Sequence, residues 1–452
     1  MKATITIIAI TLISVSALFA QNYPTPLLAP GESQVAGGLG ISWINENGQT
    51  VPYYMIGVMP DLQFGKLGIG LDLTMRISTN TGKIRKADWS GGAYRKIIRY
   101  ISWGQKHDPV FAKVGQMDMA TLGHGFIVYD YNNSPSYDNR TIGAELDLDF
   151  NKFGFETMYG NFNQPGVIGG RFYVRPLRFT TLGETPIIGG FELGATYVTD
   201  QNKNSGLVEV NHLVEPNPSL PPGPAQSPYS IENTGRLSEY GFDAGLPVLR
   251  IPFADADLYY DYAQINHFGH GSAAGILFNF NGLGLAKASI KLEHQWIGRQ
   301  FIPEYFNQFY ELNRYVPIDT GYFSQATQLA NTPGGQGWYG QITVAVLQQF
   351  QIVGGYRGID HDPNGGLLHL ETRFPNLVPM IAFSAGYDRW GIQSFKDAFQ
   401  LDKRSLLYAF FGYKPYPFMT VGFNYYWTFI PVSGGYQVQK RIEPRVMFNF
   451  SF

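Results

Sequence analysis

The chain has 452 residues, no cysteine, a formal net charge of −2 at pH 7 and a mean hydropathy of −0.12. Lack of cysteine excludes a disulfide framework and thiolate metal sites, and the near-neutral charge leaves no electrostatic footprint for nucleic acid. Charged residues make up only 15%, matched by 15% aromatic, with 53 Gly, 29 Tyr and 33 Phe; a soluble chain of this size usually carries about 25% charged residues.

Residues 1–20 read as a targeting segment: Lys2 gives a short positive start, Ala3 to Phe19 is mostly apolar, and Ala20 before Gln21 is a cleavage point, with Ala17 as a second choice. No cysteine follows either site, which argues against a lipid anchor. Residues 21–36 hold three prolines up to Ser33 and read as a periplasmic lead-in or a short plug. Beyond the targeting segment there is no run of 18 apolar residues, so no helix can cross a bilayer. A membrane protein without such helices must satisfy its backbone polar groups in a closed barrel. Low overall hydropathy is what a barrel shows, because lumen-facing polar residues offset lipid-facing apolar ones.

From residue 37 the chain alternates. Strands are expected near 51–60 and 67–76, joined by Asp61 to Lys66. Tyr94 to Trp103 alternates poorly, with Ile97 and Ile98 adjacent and basic residues between. Ala144, Leu146, Leu148 and Phe150 oppose Glu145, Asp147 and Asp149, and Asn151-Lys152 turns them into Phe153 to Gly160 as a two-residue hairpin. The same pattern runs through 191–197, 286–296 and 407–429. Counted back from the end, short turns at 414–417, 374–376, 281–284 and 151–152 fall on one side. The long stretches 390–403, 300–336, 200–237 and 131–140 fall on the other, which is the loop asymmetry of a membrane barrel. The turn at 61–66 breaks that parity. The proline-rich run 215–228 is flanked by strands and so belongs to one external loop rather than to a linker between domains.

The last segment, Arg441 to Phe452, alternates polar and apolar positions over its whole length. An amphipathic strand of a soluble sandwich is the alternative for this segment by itself. A terminal aromatic on such a strand resembles the C-terminal signature of bacterial outer-membrane β-barrel proteins. The chain is therefore expected to be all-β, a transmembrane antiparallel up-and-down barrel over 37–452 of roughly 18–20 strands. The resemblance implies a bacterial outer-membrane location, contact with outer-membrane lipid and delivery to the barrel-assembly machinery through the C-terminal strand; a homo-oligomer is left open beside a monomer, and the near-neutral charge gives no nucleic-acid partner.

Several constellations bear on function. Arg441, Glu443, Arg445, Glu145, Asp147, Asp149, Arg171, Arg175, Lys287, Lys291 and Glu293 fall on polar strand faces and are expected to line the lumen. They form either opposed charged rows that select by charge and dipole or ion pairs that neutralise one another. Asp360 to Glu371 fits the calcium-loop pattern D-x-[DN]-x-[DN]-G-x5-E, with Asp360, Asp362, Asn364 and Glu371 as oxygen ligands. A D-P-N-G hairpin turn accounts for the same residues. Apart from calcium, no cofactor is expected.

His267, His270 and Ser272 resemble, over those few residues, an outer-membrane phospholipase arrangement. A polar loop tip is the alternative, and with no acidic or amide partner no catalytic residue is assigned and no enzyme is expected. Gly115-Gln116-Met117-Asp118, with Gly123-His124-Gly125-Phe126 and Tyr129, is similar to the G-R-Q and G-x-G segments of alginate-export and related porin-type barrels, with Gln116 in place of Arg. That similarity implies a wide substrate channel.

The expected function is an outer-membrane channel passing small hydrophilic solutes with weak charge selectivity. The alternative is a non-conducting barrel that displays loops or docks a secretion or motility partner. A barrel of this kind should migrate differently on a denaturing gel with and without heating; identical migration would count against it.

Overall fold

Alternation of side chains dictates where the strands lie, and hydrogen bonding between chain neighbours then closes them into one wall. The computed structural model describes residues 33–451 except 47–48, 90–96, 107, 118, 135–139, 212–228, 234, 283–285, 309, 315, 319–320, 324, 331, 347–349, 361–365, 379, 393, 395, 403–404 and 433–434. The strands are β1 (Gln34–Glu46), β2 (Gln49–Phe64), β3 (in two pieces, Leu67–Leu71 and Leu73–Ser78), β4 (Ile98–Trp103), β5 (Val110–Gly115), β6 (Gly143–Asp149) and β7 (Phe153–Tyr159). They continue as β8 (Val167–Val174), β9 (Glu192–Asp200), β10 (Ser238–Ile251), β11 (Ala254–Ile265), β12 (His270–Gly282), β13 (Ala286–Ile297) and β14 (Gly335–Val346). The wall ends with β15 (Phe350–Ile359), β16 (Leu367–Val378), β17 (Ile381–Trp390), β18 (Ser405–Tyr416), β19 (Met419–Val432) and β20 (Gly435–Ser451).

Each strand pairs antiparallel with the next, and β20 pairs back onto β1, so this is a closed all-β, up-and-down barrel of 20 strands. No helix among the described residues is long and apolar enough to cross a membrane. The closing ladder runs from Gln34↔Ser451 to Gly40↔Arg445. Beyond it β1 continues paired with β2, and β20 with β19.

The count settles at the top of the expected 18–20. It also resolves the parity break near residue 61. The Gly65-Lys66 turn lies at the same end as the other short turns, because Ile98–Trp103 is a wall strand despite its poor alternation. The irregularity has a local cause: β3 is interrupted at Asp72, the β3–β4 register shifts there, and the outer half of β3 pairs with β2 on one side and bridges Ile84 through Ile77 on the other. Asp72 N–H donates to the Ile97 carbonyl (2.7 Å), and its carboxylate takes Arg140 at 2.6 Å. The first strand starts at Gln34, earlier than the expected 37. The expected targeting segment 1–20 and most of the lead-in 21–36 lie outside the described residues, as does the proline-rich run through residue 228.

Polarity across the wall is inverted relative to a soluble protein. Outward positions are exposed and apolar: Leu39, Ile56, Leu146, Leu193, Leu258 and Ile342 form an aliphatic belt. Aromatic residues border it on both sides. Phe150, Phe153, Tyr416, Phe418 and Phe450 lie at the turn end, with Phe418 stacked on Phe450 and on Tyr416 at 5.6 Å. Tyr54, Tyr197, Tyr240, Trp296, Trp338 and Tyr356 lie at the loop end, where Tyr197 opposes Tyr240 in register. Inward positions are buried and largely polar, as with Ser42, Arg76, Glu293, Gln295, Asp388 and Glu443.

The loops at the far end do not all stay outside. The described residues of 116–134, on the β5–β6 connection, and of 301–330, on the β13–β14 connection, turn into the barrel and pack on each other. Val128 bridges Phe306, and Phe126, Tyr131, Phe301, Tyr305, Phe306 and Tyr310 are buried in one apolar cluster with the inward residues Met158, Val198 and Ile265. Two short helices, α1 (Tyr310–Asn313) and α2 (Gln325–Ala330), belong to the second insertion. The sequence places 131–140 and 300–336 outside and marks 115–129 only by a motif similarity. Their apolar residues have no period, but they complete a core with the inward wall.

Leu258 lies mid-strand in the belt, opposite Leu246 and Ile276. Leu258→Arg should cost about 2–4 kcal/mol of folding free energy in lipid vesicles if the belt meets hydrocarbon. An exposed substitution in water would stay within about ±0.5 kcal/mol. Urea titration of the vesicle-folded protein separates the two.

Candidate functional site

The interior is lined by strand residues of one parity, and most of their charges meet a partner on the same stretch of wall. At the centre of the β6–β11 arc is Arg171 on β8. Its guanidinium takes both oxygens of Asp243 (2.9 and 2.6 Å), Glu156 (2.9 Å) and Glu192 (2.7 Å). Arg175 continues the chain to Glu192 (3.0 Å) and Asp149 (2.9 Å), and the Tyr173 ring lies between the two guanidinium groups at 4.9 and 5.0 Å. Lys106, from the β4–β5 turn, meets Asp147 at 2.7 Å and Glu145 at 4.0 Å. Carboxylates outnumber cations along this arc, since one arginine serves three of them.

On the rest of the wall pairs are closer to one-to-one. Lys291 meets Glu293 (2.8 Å), Arg445 meets Glu443 (2.5 Å), Arg373 meets Glu371 (2.9 Å), and Arg76 meets Asp88 (3.4 Å). His369 contacts Asp388 at 2.6 Å, and Arg389 takes Asp397 and Asp402 from the β17–β18 loop at 2.7 and 3.1 Å.

Of the residues expected to line the lumen, Glu145, Asp147, Asp149, Arg171, Arg175, Lys291, Glu293, Glu443 and Arg445 all project inward and enter these pairs. Lys287 shares the face of Lys291, opposite Asn281 and Ala345. The backbone of Arg441 opposes Tyr426, and its side chain lies outside the described residues. Pairing of opposite charges along one strand face or between nearby strands is therefore the arrangement found, rather than intact rows of one sign. Glu156, Glu192 and Asp243 were not singled out in the sequence. They sit on the same strand faces as the residues that were, so alternation was the signal that could have found them.

Of the residues expected to bind calcium, the two that are described, Asp360 and Glu371, stand apart. Asp360 is exposed just past the loop end of β15, whereas Glu371 is buried on β16 opposite Val353 and held by Arg373. At roughly 3.3 Å per residue the strand register separates them by about two-thirds of a strand's length. Asp362 and Asn364 lie outside the described residues. Of the hydrolase-like group, His267 takes a left-handed turn conformation (φ 66°), the His270 ring is tilted against Tyr262 at 5.9 Å, and Ser272 pairs in the ladder with Trp296.

The inward segment 116–134 is fastened to the wall by side chains the sequence marked only as a loose motif. Gly123 N–H donates to Glu156 (2.7 Å), His124 Nδ1 meets Asp261 (3.0 Å), and Lys291 donates to the His124 carbonyl (2.7 Å). Tyr129 donates to Gln341 at 2.9 Å. The second insertion is held by Arg357 to Glu304 (3.4 Å) and by Tyr310 donating to Asp200 (2.7 Å). Burial pushes the Asp130 carboxyl, on the first insertion, up to about 7.

No family model and no curated protein matches the chain. Among solved structures it is similar to Pseudomonas aeruginosa OccK2 (OpdF) in complex with glucuronate, with a TM-score of 0.34 and 9% identity, covering 93% of this chain and 97% of that one. Similarity to Pseudomonas aeruginosa OpdL has a TM-score of 0.35 at 9% identity, covering 93% and 98%. OccK8 (OprE) of the same organism gives 0.34 at 11% identity, covering 93% and 97%.

Arg171 is the charge whose loss leaves most behind: three carboxylates without their shared cation. Arg171→Met should destabilise the barrel by about 3–5 kcal/mol, measured as a drop in the urea midpoint of the detergent-solubilised protein. A loss below about 1 kcal/mol, the range of exposed pairs, would show that water already screens this cluster.

Proposed function

We propose that the chain is an outer-membrane channel for small hydrophilic solutes. The observation that carries this reading is the inverted polarity of the wall: aliphatic and aromatic side chains outside, ionised and amide side chains inside. A barrel of 20 strands is too wide for its own side chains to fill, so its polar interior is either hydrated or occupied by inserted chain. Here the inserted segments pack against the β7–β14 side, and the polar faces of the remaining strands form the rest of the passage.

Charge selectivity in such a passage is weak. Most ionised groups are paired within hydrogen-bonding distance, so their fields fall off as dipoles rather than as unpaired charges. The excess of carboxylates around Arg171 gives the β6–β11 arc a mild preference for cations. The short turns then face the periplasm and the long connections face outside, as in other barrels of this class.

A second reading has its own support. The apolar cluster joining the two insertions closes part of the loop-end mouth, which suits a barrel that displays its loops and does not conduct. Planar-bilayer recording separates the two. A channel gives discrete conductance steps, and replacing 301–330 by a short linker increases the step size. A display barrel gives no steps in the intact chain. Under a salt gradient the reversal potential should be small and cation-directed; a strong anion preference would contradict the charge distribution described here.

A further inference from the structure

Gly123-His124-Gly125 is the tip of the inward 116–134 segment and takes no part in closing the wall. Its shape depends on the two glycines, which take φ of 58° and 92°. A Cβ on Gly123 would lie 2.9 Å from the Arg171 side chain, and one on Gly125 would lie 2.5 Å from the Tyr129 ring. Side chains other than glycine strain such backbone. The tip is thus shaped to bring one histidine against the wall.

Three strands hold it. β7 contributes Glu156, which accepts from Gly123 N–H at 2.7 Å. β13 contributes Lys291, which donates to the His124 carbonyl at 2.7 Å. β11 contributes both Asp261, 3.0 Å from Nδ1, and Tyr259, whose ring stacks on the imidazole at 4.4 Å and 21°.

We propose that the His124–Asp261 contact is a proton-operated latch: with the imidazolium in place it fastens the 116–134 segment across the lumen, and loss of that proton frees the tip and widens the passage. The widening rests on the channel reading above; the fastening does not.

The groups facing His124 set the direction of the switch. Asp261 on β11 and Asp243 on β10 favour the imidazolium, and Arg171 on β8 opposes it. Glu156 on β7 and the Lys291–Glu293 pair on β13 hold the neighbouring backbone and Tyr259. Burial works against the charged ring, but the two aspartates outweigh it and hold the His124 pKa above the ordinary 6.5. A group raised in this way contributes its full stabilisation below the ordinary histidine value, and loses it as pH rises through the raised one. While Asp261 is ionised, the latch is therefore closed on the acid side of the raised histidine value and opens above it. His124, Asp243 and Asp261 also bring three ligand-type atoms within 4.8 Å. Arg171 already engages both oxygens of Asp243, so a cation occupies the place a metal would need.

Asp130 lies on the same segment and ionises at about 7, so the test must separate the two. Amide protection factors over 122–128 in the detergent-solubilised full chain, and single-channel conductance, would be followed from about pH 5.5 to about pH 8.5, a span that brackets histidine. In the parent chain protection should fall several-fold and conductance rise across that span. His124→Phe keeps the ring stack without the ion pair and should show the open values already at the acid end. Asp261→Asn removes the same contact from the wall and should do likewise. Asp130→Asn should retain the His124 step.

Should His124→Phe and Asp261→Asn both match the parent at the acid end, the latch is refuted. Protection that switches as described in a chain giving no conductance steps at any pH would support the latch and overturn the channel reading.

Discussion

Everything in this molecule depends on backbone amides finding partners without help from water. A sheet in hydrocarbon has nothing to offer its edge groups, and each unsatisfied one costs several kcal/mol. The ladder from Gln34↔Ser451 to Gly40↔Arg445 removes the two edges that the first and last strands would otherwise present. Closure in turn fixes which face of every strand is inside. A slip of one residue at the seam would send Glu443 and Arg445 outward and Ile442 and Val446 inward. The seam and the polarity of the wall are thus one constraint seen from two sides.

The interior shows how a wall rich in ions avoids the cost of burying them. Opposite charges sit two residues apart on one strand face, as in Lys291–Glu293, or on neighbouring strands, as in Glu156 and Arg171, so these pairs form with little reach across open space. Arginine suits the crowded position because its planar group donates in several directions at once. This arrangement stabilises the wall, and in the proposed channel the same residues would set the field that a solute meets.

The two inserted segments add a second level of organisation. Phe126, Phe301 and Phe306 would be a liability outside the barrel, and inside they build an apolar core against Met158, Val198 and Ile265. Polar fastenings at the edge of that core, among them His124–Asp261 and Arg357–Glu304, fix where the segments cross. A loop held by a few such contacts at the margin of a packed cluster is the kind of element whose position a proton can change.

Alternation over Gly143 to Gly160, Ala286 to Ile297 and Arg441 to Phe452 determined, from sequence alone, that this chain makes long two-faced strands, and the sorting of short and long connections determined that they run up and down. Both follow from a period of two and from turn length, which are local properties. Only the tertiary structure decided that β3 breaks at Asp72, that Glu371 lies opposite Val353 and so away from Asp360, and that the described parts of 116–134 and 301–330 turn inward. Each of these depends on which strand lies beside which and on what fills the cylinder once it closes. No local period records that information, so lumen charges legible as a face became legible as pairs only in the assembled wall.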